Sequence, residues 1–429
     1  MDNARIDFYK LTSLIYKDID YPDLPIPVYA AFYVIMSQYF KKAKIVWGSE
    51  RRNLRMCSFW ISPSRTGKGQ LTKLLKMVAE QLDISVIEET DITDAGLLGT
   101  IDEKAIDYNY KNKLKEDNPN YKNPVIYGDL FNYDIIIFKE CKKLLIPTQH
   151  TQMFLSILQE ALDEPGVVRK KLGNQYPIEG IVTSSIYATT YYMPEIEKTL
   201  VEQGFFMRVP IYCKTLSREQ TEHLREDIIK MLSQKNSFCL EKEVKKFTDE
   251  IKKIENGEIE IYFTEEAIRM LIVFNQHFFQ KIDVVVGSKL EILKSMSQMA
   301  LDIIIKVASI HCCLEEKQKD KKLYINPLHM KPAIQFADAC INTIIDKIEI
   351  SDEIKETNKT KKVLMYYKEA TKDIPEKMIS KEKFAQFLSE RISTSRITNL
   401  KLINKLVTEN YFKKQKGEGN TQFLVLNER

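Results

Sequence analysis

The chain has 429 residues, 44% of them hydrophobic and 29% charged, with a formal net charge of +4. That length and composition belong to an ordinary globular protein with one large core and at least one smaller one, so two or three domains are expected. The seven cysteines form no C-x-x-C pair and no Cys/His cluster, so neither a zinc site nor a disulfide framework is indicated; the polar start and the lack of an apolar run of roughly 18 residues argue against a membrane role, so the expected location is a reducing cytoplasm.

Residues 1–50 are read as an N-terminal segment carrying a helix over 26–43, where apolar positions recur at helical spacing. Met56 to Ile61 is a short apolar strand. It leads into Ser62-Pro63-Ser64-Arg65-Thr66-Gly67-Lys68-Gly69, and Gln70 to Leu82 then turns helical. A buried strand is expected at Ser85 to Glu88, an exposed insertion over 104–123, and a parallel-type strand at Tyr133 to Glu140. A helix over 151–163 and a strand over 178–186 come next. Strands alternating with helices predict an α/β fold with a parallel sheet over 51–215. From 216 to 350 the pattern is helical, and an all-α lid domain is expected there. The charged segment Ser351 to Lys361 reads as a linker. Residues 359–429 then show three helices (362–372, 380–390, 394–410) and two strands (411–414, 422–426), the pattern of a winged helix-turn-helix.

The chemistry is concentrated between Ser62 and Gln70. A phosphate-binding loop needs backbone N–H groups converging at a helix N-terminus and a lysine to neutralise phosphate charge. Ser64, Arg65, Thr66, Gly67, Lys68, Gly69 and Gln70 are the candidate nucleotide-binding residues, for ATP with Mg²⁺. Two positions depart from G-x-x-x-x-G-K-[ST]: Ser62 stands at the first glycine and Gly69 at the hydroxyl. Glu140, at the end of the Ile135–Phe138 strand, is the candidate general base, with Lys139 where a first acid for the metal is expected. No residue is assigned as a metal ligand.

The order of these motifs resembles the AAA+ core of the minichromosome-maintenance (MCM) replicative helicases, including shortened forms carried by mobile elements. Lys68-Gly69-Gln70-Leu71, Thr93 to Leu97, Ile137 to Leu144, and the pair Leu158 to Glu164 and Val167 to Gly173 carry the resemblance. It implies a P-loop AAA+ core, an α-helical lid, and a pre-sensor hairpin whose Arg169, Lys170 and Lys171 touch DNA. It also implies a sensor-1 role for Ser185 at the end of Ile181 to Ser185, an arginine finger at Arg208 acting on the neighbouring subunit, and a sensor-2 role for Lys306. The first helix and the lid also resemble the ATPase half of phage and plasmid primase-helicases. The partners implied are DNA, single-stranded or forked, other copies of the chain in a hexameric ring, and a replication initiator or primase.

Charge is unevenly distributed. Residues 359–429 hold 16 Lys/Arg against 8 Asp/Glu, so this end carries +8 and the remainder −4. Arg396 and Lys401 on the third helix and Lys413 and Lys414 on the wing are the candidate DNA contacts. Three readings are compatible with these features: a DNA-stimulated ATPase and helicase, a nucleotide-binding ring or loader subunit with negligible turnover, and a sequence-specific regulator built on the winged helix.

Overall fold

The computed structural model describes residues 25–62, 67–89, 92–116, 118–141, 152–163, 167–172, 176–190, 204–205, 208–213, 222, 240–283, 288–315, 321–372, 374, 378–391, 396–408, 411–416 and 422–426. The chain divides into two units, Met1–Ile345 and Asp346–Arg429.

At the centre of the first unit is a five-stranded parallel sheet made of β1 (Ser58–Ile61), β2 (Val86–Glu89), β3 (Ile135–Phe138), β4 (Ser185–Thr190) and β5 (Ile211–Cys213), in the order β5-β1-β4-β3-β2. Every residue of β1, β3 and β4 is buried. Ile135-Ile136-Ile137-Phe138 has no apolar-polar alternation because both faces of the sheet are covered. Helix Lys68–Gln81 presents Leu71, Leu74, Leu75, Val78 and Ala79 to the core, a spacing that makes one apolar stripe. Helix Pro25–Tyr39 is apolar almost all round and buried along most of its length, with proline at its first position where no N–H is needed. The chain steps from β1 to one side for β2, β3 and β4 and to the other for β5. The strand order thus reverses around β1, and the crevice at its carboxyl end is where such sheets bind ligands.

The segment expected as an all-α lid also contributes strands. Glu260–Phe263 and Lys322–Ile325 join Lys44–Trp47 and Glu50–Arg52 in a four-stranded sheet. The strands are only four residues long, too short for their alternation to stand out between long helices. Pairing of 44–47 with 260–263 ties the N-terminal segment to the lid region, so the first three expected domains form one unit. Met296–Glu315 is long and apolar enough to cross a bilayer, but 67% of that window is buried, which makes it a core helix of this fold.

Two excursions leave the sheet. Helix Asp94–Leu98 gives way to an antiparallel pair, Gly99–Ile101 with Val125–Tyr127, and the chain turns helical again at Asp129–Asn132. Helix Glu103–Lys111 lies inside this insertion. The crossing at its base requires glycine: a Cβ on Gly99 (φ +124°) would lie 2.0 Å from the Ile126 carbonyl oxygen, and one on Gly128 2.4 Å from that of Gly96. The second excursion is the hairpin Val167–Leu172 with Tyr176–Ile181, which comes after helix Gln152–Leu162. The single strand expected over 178–186 is therefore two elements, the return arm of this hairpin and the start of β4.

In the second unit the expected linker is helical. Residues 351–361 lie within helix Pro327–Ala370, because this stretch holds charge but no proline or glycine to stop a helix. Helices Lys381–Arg391 and Arg396–Thr408 come next, with a sheet in which Gln422–Leu426 lies between Ile379–Ser380 and Phe412–Lys416. Val363, Tyr367, Phe384, Leu388, Ile403, Phe412 and Leu424 build a separate core, and the buried Tyr367 hydroxyl donates to the Leu424 carbonyl at 2.6 Å.

Candidate nucleotide site

β1 ends at Ile61, and the Ser62 N–H donates to the Thr190 carbonyl at 3.1 Å, tying the loop's start to the end of β4. Pro63, Ser64, Arg65 and Thr66 lie outside the described residues. The chain re-enters at Gly67, whose φ of +85° is left-handed backbone that glycine accepts without strain. Gly67 caps the helix with no side-chain hydrogen bond, and the first turn carries no acid. No side chain among the described residues therefore offsets the positive end of the helix dipole here.

Lys68 is buried, at 6% exposure, and its Nζ donates to the Ser62 carbonyl at 2.6 Å. Burial pulls its pKa down to about 8, against the opposing pull of Glu140 and Cys141. A cation held partly desolvated at the foot of a helix N-terminus is poised to gain from an incoming phosphate. Gly69 and Gln70 are exposed, and a Cβ on Gly69 would meet nothing within 4 Å.

β3 delivers Lys139 and Glu140 to the same edge of the sheet. Glu140 has φ +53°, left-handed backbone that costs a non-glycine residue about 1 kcal/mol. Asp83, Lys113 and Lys321 share this backbone conformation, but of the four only Glu140 is an exposed carboxylate within the electrostatic reach of Lys68. The next residue, Cys141, is buried with its thiol pushed up to about 12, chiefly by burial, and its N–H donates to the Thr189 carbonyl at 3.0 Å. β4 thus stands between the loop strand and the acid strand, its last two carbonyls accepting from Ser62 and Cys141 just past their ends. Lys139 turns the other way: its Nζ meets Glu88 Oε2 of β2 at 2.5 Å. With no side-chain oxygen at Gly69 and the Lys139 ammonium in place of an acid, these residues do not supply a protein-held Mg²⁺ shell. Among the described residues no three His, Cys, Asp or Glu gather into a metal-binding group.

Ser185 requires a correction. It begins β4 opposite Ile135, the first residue of β3, whereas Thr190 at the far end pairs with Ile61 beside the loop. Five residues at about 3.3 Å each put roughly 16 Å between Ser185 and that edge. Ser185 is fully buried, accepting from Gln38 Nε2 at 2.8 Å and sharing a hydrogen bond with Ser37. Thr190, not Ser185, ends β4 beside the loop. The β-rich run Ile186-Tyr187-Ala188-Thr189-Thr190 was the available signal, hidden by starting the strand too early.

Arg208 lies at the opposite edge from the loop, three residues before β5. Its Nε meets Asp163 Oδ1 at 2.6 Å, and a second guanidinium nitrogen donates to the Gly204 carbonyl at 3.0 Å. Sequence reasoning did not single out the residue beneath them. Arg55, buried, donates to the carbonyls of Ala161 and Asp163 at 2.6 Å each and fixes the end of helix Gln152–Leu162. Lys306 is buried on helix Ser288–Glu315, with Nζ 2.9 Å from Asp302 one turn earlier; no contact joins it to Lys68 or Glu140 among the interactions described.

Of the candidate DNA contacts, Arg169, Lys170 and Lys171 lie on the outgoing strand of the hairpin, Lys171 opposite Pro177 near its tip. Their side chains, and that of Arg396, lie outside the described residues. Lys401, Lys413 and Lys414 are exposed. Lys414 lies close enough to Lys381 to help lower that residue's pKa, after the larger effect of burial. Asn399 is buried instead and donates to Ser389 Oγ at 3.1 Å, locking the two helices together. No protein-family model matches the sequence, and no curated protein matches it.

Proposed function

We propose that this chain is a P-loop ATPase of the AAA+ type, resembling MCM-like helicases, that assembles as a ring and moves on DNA in the replication of a mobile element. The observation that carries this reading is the pairing of a partly desolvated Lys68, at a helix N-terminus without a side-chain cap, with Glu140 in strained left-handed backbone at the end of β3. In this reading Lys68 and the first helical N–H groups hold the β- and γ-phosphates. Glu140 accepts a proton from the attacking water, and Thr190 orients that water by its hydroxyl. Arg208 faces away from its own loop, so it serves the neighbouring subunit's nucleotide, leaving Asp163 for the γ-phosphate as charge develops there. The second unit is a winged helix whose lysine-bearing strand Phe412–Lys416 meets phosphates, and Lys171 contacts DNA from the hairpin. A replication initiator or primase is the expected partner protein.

One observation favours a second reading, a nucleotide-binding ring or loader subunit with little turnover: Gly69 and the Lys139–Glu88 pair leave the metal without protein ligands at the two usual positions. ATP hydrolysis by the purified chain, with and without single-stranded DNA and Mg²⁺ and beside Glu140→Gln, separates the two. Turnover that DNA stimulates and the variant lacks supports the motor. Tight nucleotide binding without turnover leaves the ring subunit, and no nucleotide binding removes both.

A further inference from the structure

The outer four-stranded sheet has one buried and one open face. Ile45, Ile261 and Leu323 form a register row that points inward, with Ile325 buried behind them. The alternation turns the other rows to solvent: Lys44, Glu260 and Lys322 in one, Tyr262 and Tyr324 in the next, with Arg51 opposite Val46 at the edge. Tyr324 is 55% exposed, and its ring lies 5.7 Å from that of Tyr262 at an interplanar angle of 24°. The Lys322 ammonium sits 5.8 Å from the centre of the Tyr262 ring. Arg51 meets Glu260 at 2.8 Å, and the Tyr262 hydroxyl donates to the same carboxylate, so the acid in this row is already neutralised. Lys44 and Lys322 lie opposite Glu260 on its two sides, so three cations share this one carboxylate. Beyond the edge, Trp47 is 39% exposed with the Arg52 guanidinium 4.8 Å above its ring.

We propose that this face is a platform for single-stranded nucleic acid, with bases stacking on Tyr324 and its neighbour and the phosphate chain running along Lys44, Lys322 and Arg51. Aromatic faces take any unpaired base, and cations flanking them at strand spacing, with Lys44 and Lys322 about 10 Å apart across two strands, match a phosphodiester backbone. A tyrosine pair kept only for sheet stability accounts for the stack but not for the surplus of cations beside it, where Lys44, Lys322 and Arg51 surround the single carboxylate of Glu260. Duplex DNA, whose bases are already stacked, offers this surface nothing but phosphates. The surface is independent of the nucleotide site and stands or falls without it.

The test uses the full chain without nucleotide and a fluorescent oligothymidylate of about 16 nucleotides, near the upper site size for one such surface. Two results are required together. Ultraviolet crosslinking with peptide mass mapping places an adduct on Tyr324 or Tyr262, and Tyr324→Ala weakens binding roughly tenfold while Tyr324→Phe retains it. On an abasic oligomer of the same length, wild type and Tyr324→Ala bind alike. Lys322→Glu, which leaves the stacked pair in place, lowers affinity and flattens its salt dependence. Adducts confined to other segments, or equal affinity of wild type, Tyr324→Ala and Lys322→Glu, overturns the proposal, as does a Tyr324→Ala loss that is the same on the abasic oligomer.

Discussion

The two ends of the parallel sheet are built on opposite plans. At the amino-terminal edge Arg55, Asp163, Ser184, Ser185 and Arg208 are tied into short hydrogen bonds with carbonyls and with one another. At the carboxyl-terminal edge Lys68 is held partly desolvated, Glu140 sits in strained backbone, and the helix start has no side-chain cap. Satisfied polar groups stabilise a fold, whereas strained backbone and a desolvated cation, even one hydrogen-bonded as Lys68 is to the Ser62 carbonyl, hold free energy that a ligand can draw on. By that criterion the carboxyl edge is the better candidate for a ligand, and Arg208, bonded to Asp163 and the Gly204 carbonyl, belongs with the satisfied edge in this chain, so the role proposed for it requires a neighbouring subunit.

The comparison breaks most visibly at Arg208. If Arg208 is the proposed arginine finger, Arg208→Ala is expected to lower turnover by about 10³-fold or more with ATP affinity unchanged; steady-state kinetics beside equilibrium ATP binding tests it, and normal turnover removes Arg208 from the site. Next, Lys68→Met and Arg55→Met should diverge. The first is expected to cost about 100-fold in ATP affinity, roughly the 3 kcal/mol of a charge-assisted phosphate contact, with a smaller loss of stability than the second, since relief of a buried charge offsets the lost bond to the Ser62 carbonyl. The second should lower stability by about 3 kcal/mol, since it strands buried carbonyls, and leave affinity unchanged. Calorimetry with nucleotide titration reads both, and a matching loss of stability in the two variants would erase the distinction between the edges.

A smaller effect lies in pH. The folded pKa of Lys68 lies below its unfolded value of 10.5, so between about pH 8 and 10.5 the unfolded chain binds more protons and this residue makes stability rise with pH. Phosphate raises that pKa again, so ATP binding at pH 8 should take up about half a proton, falling toward none at pH 6.5. Titration calorimetry in buffers of different ionisation enthalpy measures it; no uptake at pH 8 would show that Lys68 does not meet the phosphates. Smallest is Gly69→Ser. Its side chain enters open space, so stability should change by about 0.5 kcal/mol or less, while the added hydroxyl should make turnover more responsive to Mg²⁺. A large loss of stability would show that the space is not open.

The sequence by itself determined what is local. A hydrophobic run before Ser62 and an apolar stripe after Gly67 mark the strand-loop-helix unit; the arms around Gly173 mark a hairpin; the apolar run Gln422–Leu426 after Gly417 to Asn420 is bounded as expected. The tertiary structure alone decided which end of a strand faces the site. Ser185 and Thr190 share one strand, and only its register with β1 and β3 puts Thr190 beside the loop and Ser185 among buried serines. It also decided that Arg208 rests on Asp163 and that Lys139 turns to Glu88, partners 45 and 51 residues away. Periodicity records which face of an element is buried because burial acts residue by residue along the chain. Register and ion pairing depend on where a second element stops, and nothing in a local window carries that.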